Sequence, residues 1–517
     1  MGLTHPAVIA ALVWLLLVGV DRFGRFSRAR PAFPRVVFLA AGWTVLLAFG
    51  AIVIWYAGQF TYFDRAEPTI TAVASVFSAG KPLYPALDAP ERYAHIYGPV
   101  LFIVHASAMA VVGQSILVSK AVGAVAILGS LWIAHRIFGA QAGAFAAVVA
   151  SSGCALIYLD FGNATFWTRP DPLLILCVVL GLYATRRGGR IGSLVLVGVA
   201  TGLAINLKVS GPVYLVPVFA LLASRHGGWS AMGAAGIATL VGLAPFLLPN
   251  VSMRHYAEYI ELSARNGLGA AKMRQNLEWA LVLVAPLAAV TFGARVPGPG
   301  RRGVALFVGS LATSVAVIAV VAAKPGGGPY HLLPFAPLVA YAALCVPVAV
   351  WERRATARAL AAAVMLTALV IAVPRQATLL TTVTDRHLAA AVYDLRNFAG
   401  AHPSRRIGVG YAGLSYVSDA RPEVVFRTRD YLLDAPAIQE HRLSGLDVPA
   451  STIHAIDQCQ IDYWLLPTGA DPFVVPSAYW PDGPREVFPE EFRRVFFRRY
   501  APTGRTLYFD VWECQTR

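Results

Sequence analysis

Charged residues are scarce in this chain. Only 14% of its 517 residues are Asp, Glu, Lys or Arg, and its mean hydropathy is +0.59. Soluble domains carry about 25% charged residues, so a chain that is soluble throughout is excluded. Apolar runs long enough to span a bilayer recur from the N-terminus to about residue 374. The sequence therefore predicts a polytopic helical membrane protein followed by a smaller water-soluble part.

Cysteine is also scarce, and basic residues outnumber acidic ones. The five cysteines form no CxxC pair, and there is no His-rich metal pattern. Cys459 and Cys514 lie in the water-soluble part and can pair if that part is outside the cytoplasm.

The net charge of +15 comes with arginines that cluster in short loops between apolar runs, which is the orientation signal of membrane proteins. We therefore expect no nucleic-acid partner.

The apolar runs predict the helices of the membrane domain. They cover residues 6–20, 36–57, 115–134, 141–158, 172–185, 191–207, 211–224, 229–248, 277–294, 303–323, 331–350 and 358–374. With these runs, the predicted fold is an all-α polytopic membrane domain of about 12 transmembrane helices, joined to a small external α/β domain.

One further apolar run, 97–113, does not fit a full crossing. Basic loops are expected in the cytoplasm because Lys and Arg accumulate there. These loops cover residues 22–35, 186–190, 294–302 and 351–358. Counting crossings from them puts both ends of 97–113 outside, so we predict a re-entrant or interfacial helix in addition to the crossing helices.

The same count places the C-terminal tail on the external side. We therefore divide the chain into a membrane domain, 1–374, with its main external loop at 58–96, and an external α/β domain, 375–517. Amphipathic spacing predicts a helix over 385–399. Strands are predicted over residues 406–412, 423–427, 462–467, 493–500 and 506–514.

The external loop carries two carboxylates close to the membrane. Asp64 and Glu67 follow the helix predicted over 36–57 within a few residues, and Arg65 lies between them. A carboxylate at a membrane boundary costs desolvation energy, and it can accept a proton from an attacking hydroxyl. We interpret Asp64 and Glu67 as catalytic candidates. The alternative, that Asp64 is a solvated helix cap, remains open.

Cationic and aromatic residues near other external helix ends are candidates for substrate binding. Arg, Lys and His bind phosphate through charge-assisted hydrogen bonds. The candidates are Arg65, Tyr97, Arg169, Asp171, Lys208, Arg254, His255, Lys324, Tyr330 and His331. Two alternatives remain open, since Asp171 before Pro172 is suited to cap a helix and the glycines at 326–328 are typical of a flexible loop.

The order of these motifs resembles the polytopic glycosyltransferases of the C superfamily, including the protein O-mannosyltransferases, the lipid A aminoarabinose transferases and related family 39 proteins. Those proteins carry an acidic motif early in the first external loop, and its counterpart here is FDRAEP, with two residues between Asp64 and Glu67. HIYGPV, with Gly98 in place of a proline, resembles the end of that loop. TRPDP resembles their second external loop, and GGGPYHLLP a late tyrosine-containing loop. The resemblance covers roughly residues 36–350.

The resemblance implies a glycosyltransferase that moves a hexose or pentose from a polyprenyl-phosphate donor to a lipid, glycan or protein hydroxyl. Within that reaction our hypothesis is that Asp64 is the base and that Glu67 positions it or shares its role; the non-adjacent acidic pair leaves open which carboxylate is the base. No cofactor is indicated with certainty; the sequence leaves a divalent metal possible and indicates no ligands for it. The resemblance also implies a bacterial inner (plasma) membrane protein among membrane lipids, with its active site facing the periplasm or exterior.

The alternative function is a transporter or flippase of a lipid-linked glycan, which would bind the same lipid without chemistry. A transporter is expected to show paired repeats or charges deep within its helices. The sequence shows neither pattern, and its charges lie at the ends of the apolar runs.

Overall fold

The computed structural model describes residues 33–291, 301–345, 355–413, 415–477, 480 and 483–515. Its first helices are α1 (Phe33–Ala57), α2 (Glu67–Ser78), α3 (Pro99–Val112), α4 (Ile116–Leu159), α5 (Asp171–Arg187), α6 (Arg190–Ile205), α7 (Gly211–His226) and α8 (Gly228–Leu243). They are followed by α9 (Met253–Ala264), α10 (Ala270–Thr291), α11 (Arg301–Val321), α12 (Ala336–Cys345) and α13 (Ala355–Val383). Short 3-10 helices cover Ala244–Leu247 and Pro329–Phe335.

The remaining elements form the C-terminal part. In chain order they are α14 (Arg386–Ala401), β1 (Ile407–Val409), a 3-10 helix (Tyr416–Ala420), α15 (Pro422–Thr428), α16 (Ala435–Leu443), α17 (Ala450–Asp457), β2 (Tyr463–Pro467), β3 (Pro476–Ser477), β4 (Arg485–Glu486), α18 (Glu490–Arg499), β5 (Tyr500–Arg505) and β6 (Phe509–Cys514).

Several helices have the length and composition of membrane spans. Among the described residues, five helical segments are long and apolar enough to cross a bilayer. The first, α1, has 25 residues and is therefore about 37 Å long, more than the roughly 30 Å of a bilayer core. The chain is thus a multi-pass membrane protein. The predicted run 6–20 and most of the basic loops at 22–35, 294–302 and 351–358 lie outside the described residues, so the count of about 12 stays a prediction.

Helix α4 joins two of the predicted runs. The residues between the runs 115–134 and 141–158 are helical, and the helix is interrupted at Gly143, with φ 86° and ψ 170°. A positive φ is strained for residues with a side chain, so glycine suits this position. Two consecutive helices therefore meet at Gly143 without a loop between them.

Helix α3 corresponds to the predicted run 97–113. It has 14 residues, which gives a length of about 21 Å. A straight crossing of the bilayer core needs about 20 residues. Its length agrees with the predicted re-entrant or interfacial helix, while its position in the bilayer stays a prediction.

The chain forms two compact units. The first consists of the described residues up to Trp55 together with Gly123–Leu243 and Leu268–Leu379. The second consists of Tyr56–Val122, Ala244–Gly267 and the residues from Leu380 onward. The predicted boundary between 374 and 375 falls inside α13. The second unit includes the predicted external loop 58–96 as well as the C-terminal tail.

The second unit contains the predicted α/β domain. Its main sheet has the order β1-β2-β6-β5, with β1 parallel to β2 and with β6 antiparallel to β2 and β5. The register pairs Val409 with Leu465 and Leu465 with Val511. Phe473 packs edge to face with the rings of Phe488, Phe492 and Phe496, at 4.9–5.0 Å between centroids, in the core. The predicted strands over 406–412, 462–467 and 506–514 contain β1, β2 and β6.

Two other strand predictions are wrong. Residues 423–427 lie in α15, which begins at Pro422, where the fixed φ of proline favours the first turn of a helix. Residues 493–499 lie in α18, whose buried residues are Phe492, Val495 and Phe496. That spacing of three and four residues fits a helix and not a strand. The predicted helix over 385–399 is present as α14, capped by Asp385.

Candidate functional site

The acidic motif forms a tight turn in the second unit, just before α2. We call residues 64–67 the acidic turn. Asp64 Oδ1 accepts a hydrogen bond from the backbone N–H of Ala66 at 3.0 Å, and the N–H of Glu67 donates to the Asp64 carbonyl at 3.2 Å. Asp favours such turns because its short side chain bonds to the backbone two residues on. Pro68 then occupies the first turn of α2. The Asp64 side chain is half-buried at the entrance to this helix.

Glu67 is in a different environment from Asp64. Its side chain is fully buried, and its Oε1 accepts hydrogen bonds from the Tyr56 hydroxyl and from the backbone N–H of Asp64, the latter at 3.3 Å. A buried carboxylate needs such donors to offset its lost hydration. Lys120, also buried, lies with Nζ 3.5 Å from the centre of the Tyr56 ring. Glu67 therefore holds the turn, whereas Asp64 presents a partly accessible carboxylate.

The other candidates in the second unit are placed as follows. The Arg65 guanidinium lies 4.7 Å from the centre of the Tyr416 ring. Tyr97 is 8% exposed, and its carbonyl accepts a hydrogen bond from the Tyr84 hydroxyl at 2.7 Å. His255 Nδ1 lies 3.0 Å from the Tyr84 carbonyl oxygen. Arg254 is highly exposed and pairs with the side chain four residues on in α9. Arg254 thus has the environment of a surface ion pair.

A second cluster of candidates lies in the first unit. Lys208 Nζ donates to Asp171 Oδ1 at 2.7 Å, and Trp167 Nε1 donates to Asp171 Oδ2 at 3.0 Å. Both charged side chains are buried. Burial lowers the pKa of Lys208 below its usual value, and the Asp171 charge opposes this effect. Asp171 is the first residue of α5, but its side-chain contacts are those of a buried ion pair and not of a helix cap.

Arg169, Tyr330 and His331 extend this cluster. Arg169 donates to the Tyr330 hydroxyl at 2.8 Å, and its guanidinium lies 4.0 Å from the centre of the Trp167 ring. The ring of His331 lies 4.5 Å from that of Tyr330. Lys208 Nζ is 5.5 Å from the centre of the Tyr330 ring. The structure therefore brings together residues from three separate segments of the sequence. We call Arg169, Asp171, Lys208, Tyr330 and His331 the basic cluster.

Lys324 and the glycines at 326–328 are part of a backbone-bonded turn in the first unit. Lys272 Nζ lies 3.4 Å from the Lys324 carbonyl oxygen and 3.5 Å from that of Gly327. The Gly327 N–H donates to the Lys324 carbonyl at 2.9 Å. The Tyr330 hydroxyl donates to the Gly326 carbonyl at 2.9 Å. The glycine run is therefore tied to the tyrosine of the basic cluster.

Asp160 is a site candidate that the sequence pattern did not single out. It follows α4 directly and is 1% exposed, and neither carboxylate oxygen has a hydrogen-bond partner in the described part of the chain. Burial raises the pKa of Asp160 to about 9, against the opposing charge of Arg375. A carboxyl with this pKa is protonated at neutral pH. The sequence signal was similar to that for Asp64, an acidic residue shortly after an apolar helix.

No metal site is evident in this region. Among residues 33–291, 301–345 and the other described segments, no group of three or more His, Cys, Asp or Glu side chains is arranged to hold a metal ion. A divalent metal, which the sequence leaves possible, therefore lacks a fitting ligand set among those residues.

The Asp171–Lys208 pair can be tested by double substitution. Lys208→Met leaves the buried Asp171 charge uncompensated, so we expect a loss of about 3–5 kcal/mol in the free energy of unfolding. Adding Asp171→Asn removes that charge and is expected to restore most of the loss. Thermal unfolding in detergent measures both effects, and Arg254→Met, which breaks an exposed pair, is the matched control. Wild-type stability of Lys208→Met would contradict the buried pair.

Comparison with known proteins identifies the fold. No protein-family model and no curated protein sequence matches this chain. Among solved structures, ArnT from Cupriavidus metallidurans bound to undecaprenyl phosphate matches with TM-score 0.54 and 12% identity, over 92% of this chain and 97% of that one. Its apo structure gives TM-score 0.52 and 15% identity, over 92% and 98% of the two chains.

A more distant match is the oligosaccharyltransferase of Archaeoglobus fulgidus in complex with zinc and sulfate, with TM-score 0.43 and 12% identity. It covers 82% of this chain and 68% of that one. The two ArnT structures extend over nearly the whole of both chains, and ArnT is a GT-C protein. The chain described above therefore has the GT-C fold that its motifs predicted.

Proposed function

We propose that this protein is a membrane glycosyltransferase that moves a sugar from a polyprenyl-phosphate donor to a lipid, glycan or protein hydroxyl on the external face of the membrane. The observation that carries this proposal is the acidic turn, in which a half-buried Asp64 is held beside a fully buried Glu67. The GT-C fold supports it, as does the undecaprenyl phosphate bound to the similarly folded ArnT.

In the proposed reaction, the acceptor hydroxyl oxygen attacks the anomeric carbon of the donor sugar. Asp64 takes the hydroxyl proton as the new carbon–oxygen bond forms. The bond between the anomeric carbon and the phosphate oxygen breaks, and the polyprenyl phosphate leaves with that electron pair. The products are the glycosylated acceptor and the lipid phosphate, with one proton held by Asp64. The donor is a hexosyl or pentosyl phosphate lipid.

Glu67 is proposed to position the base. Its Oε1 accepts the backbone N–H of Asp64, so it fixes the residue that carries the proton acceptor. A group held by a rigid element keeps a reactive geometry better than one on a free loop. Tyr56 and Lys120 in turn hold Glu67 by a hydrogen bond and by packing on the tyrosine ring.

The basic cluster of the first unit is proposed to bind the donor phosphate. Arg169 and Lys208 place two cationic side chains in this cluster, Lys208 paired with Asp171 and Arg169 bonded to Tyr330. Cationic hydrogen-bond donors suit a phosphate, whose negative charge grows as the sugar leaves. Tyr330 and His331 line the same cluster. This use agrees with the sequence-based assignment of these residues to substrate binding.

The other binding candidates remain proposals with less support from geometry. Arg65 lies in the external loop with the acidic turn, and Tyr97 directly follows that loop. Both are proposed to contact the acceptor or the sugar. Arg254, His255 and Lys324 are proposed as further donor contacts. The exposed helical ion pair of Arg254 gives it the weakest claim.

The disulfide of the C-terminal part supports its external placement. Cys459 and Cys514 are bonded, with 5.9 Å between their Cα atoms, in the range of protein disulfides. Disulfides persist outside the cytoplasm and are rare within it. We therefore propose that residues 375–517 face the periplasm or exterior of a bacterial plasma membrane.

The role of Asp64 predicts the effect of two substitutions. Asp64→Asn keeps the side-chain shape and removes the base, so we expect transfer to slow by about 10²–10⁴-fold with folding and donor binding preserved. Glu67→Gln is expected to reduce transfer less, since it acts through Asp64. The measurement is the rate of sugar transfer by purified protein from labelled polyprenyl-phosphate sugars.

Asp88→Asn is the matched control for these variants, because Asp88 is an exposed carboxylate in the same loop. It is expected to transfer at the wild-type rate. A dead Glu67→Gln with a fully active Asp64→Asn would reverse the two roles. Full activity of both would remove the acidic turn from the mechanism.

The external placement predicts the labelling of engineered cysteines. Ser404→Cys lies at an exposed position of the C-terminal part and is expected to react with a membrane-impermeant maleimide on intact cells. Arg187→Cys, in a loop predicted to be cytoplasmic, is expected to react only after the membrane is opened. Labelling of Ser404→Cys only from the cytoplasmic side would contradict the proposed orientation.

A further inference from the structure

Arg421 is a buried arginine of the second unit, and it is only 1% exposed. It directly precedes α15. Within the C-terminal part, its guanidinium donates to Asp434 Oδ2 at 3.1 Å, to Asp419 Oδ1 at 3.1 Å and to the Tyr431 hydroxyl at 2.8 Å. A buried guanidinium with three such partners has a fixed orientation, since moving it would leave charges unpaired.

The same guanidinium reaches the acidic turn. Arg421 Nη2 donates to the carbonyl of Arg65 at 3.0 Å and to the hydroxyl of Thr69 at 2.7 Å. Arg65 follows Asp64 in the chain, and Thr69 lies in the first turn of α2, which begins at Glu67. One contact therefore lies between Asp64 and Glu67, and the other lies two residues after Glu67.

The Thr69 hydroxyl completes the connection. It accepts from Arg421 and donates to Asp434 Oδ2 at 2.8 Å. Asp434 is fully buried and also lies 3.6 Å, through Oδ1, from His95 Nε2. Burial alone would lower the pKa of His95, but the neighbouring carboxylates of Asp434 and Glu440, the latter 3.1 Å from Nδ1, raise it to about 9. The imidazolium therefore adds a second positive charge that keeps Asp434 in place.

Two further contacts join the C-terminal part to the acidic turn. The Arg65 side chain lies against the ring of Tyr416, and α15 packs against α2. Arg421 also holds Asp419, and burial raises the pKa of Asp419 to about 6. The Arg65 charge lowers this pKa and the Asp64 charge raises it. The turn is thus held from the side of the C-terminal part as well as by Glu67.

From this geometry we infer that Arg421 is a positioning residue for Asp64. The C-terminal part then belongs to the catalytic apparatus and is not a separate module. This inference rests on the proposed glycosyl transfer. Arg421 touches neither the reacting atoms nor the base directly. It acts by fixing the backbone at Arg65 and the start of α2, and a displacement of about 1 Å at a reactive group can cost 10²-fold in rate.

The test compares Arg421→Lys with Arg396→Lys. Lysine keeps the charge at 421 but cannot reproduce the several directed donors of arginine. Arg396 makes a two-bond ion pair with Glu423, both bonds at 3.0 Å, in the same part of the chain, but contributes no bond to the turn, which makes it the matched control. We expect Arg421→Lys to lower kcat about 10- to 100-fold with KM for a polyprenyl-phosphate sugar changed less than about threefold. Arg396→Lys is expected to keep kcat within about twofold.

A double substitution separates positioning from a general loss of stability. If Arg421 acts through Asp64, then Asp64→Asn combined with Arg421→Lys is expected to be no slower than Asp64→Asn alone. Thr69→Val removes one bridging hydroxyl while keeping the Arg421–Asp434 pair, so it provides a milder variant if Arg421→Lys does not fold. It is expected to lower kcat in the same direction, without a fall in unfolding temperature beyond that of Arg396→Lys.

Several results would overturn the inference. Wild-type kcat in Thr69→Val and in a folded Arg421→Lys would do so, as would an equal loss in Arg396→Lys or an additive loss in the double variant. A wild-type protein that transfers no sugar, or an Asp64→Asn variant with the wild-type rate, is a different outcome that overturns the proposed function itself. The two failures are therefore distinguishable within one set of assays.

Discussion

A fully buried carboxylate next to a membrane-spanning helix must find hydrogen-bond donors, and Glu67 finds them in the Tyr56 hydroxyl and the backbone of Asp64. This interaction decides the shape of the acidic turn. It couples the end of α1 to the start of α2, and it leaves Asp64 as the carboxylate with an accessible side chain. The different environments of the two acidic residues give them different proposed roles, since the buried one positions and the half-buried one accepts a proton.

The C-terminal part adds a second constraint on the same turn. Arg421 is paired with Asp434 inside its own domain and also donates to Arg65 and Thr69. Buried ion pairs of this kind are weak evidence for stability, because desolvation offsets much of their attraction. The directed hydrogen bonds of Arg421 are better explained by a need to fix the backbone of the acidic turn. The second unit accordingly combines residues from the external loop and from the tail in one compact body.

Much of the fold could be predicted from the sequence because it depends on local composition. Long apolar runs predict membrane helices, and the amphipathic spacing after residue 384 predicts α14. The strand predictions over 423–427 and 493–500 were wrong because short aromatic and β-branched runs suit helices and strands equally until their partners are known. The Asp171–Lys208 pair and the contacts of Arg421 could not be predicted, since they join segments that are 37 and more than 350 residues apart.

The most direct test of the account follows both products of the proposed reaction at once. Purified protein in liposomes is supplied with polyprenyl-phosphate sugars labelled in the sugar and in the lipid, together with membrane-derived acceptors. The account predicts that labelled sugar appears on an acceptor while an equal amount of free polyprenyl phosphate is released, and that Asp64→Asn suppresses both. Movement of intact donor across the bilayer, with no cleavage between sugar and phosphate, would contradict the account and indicate a transporter.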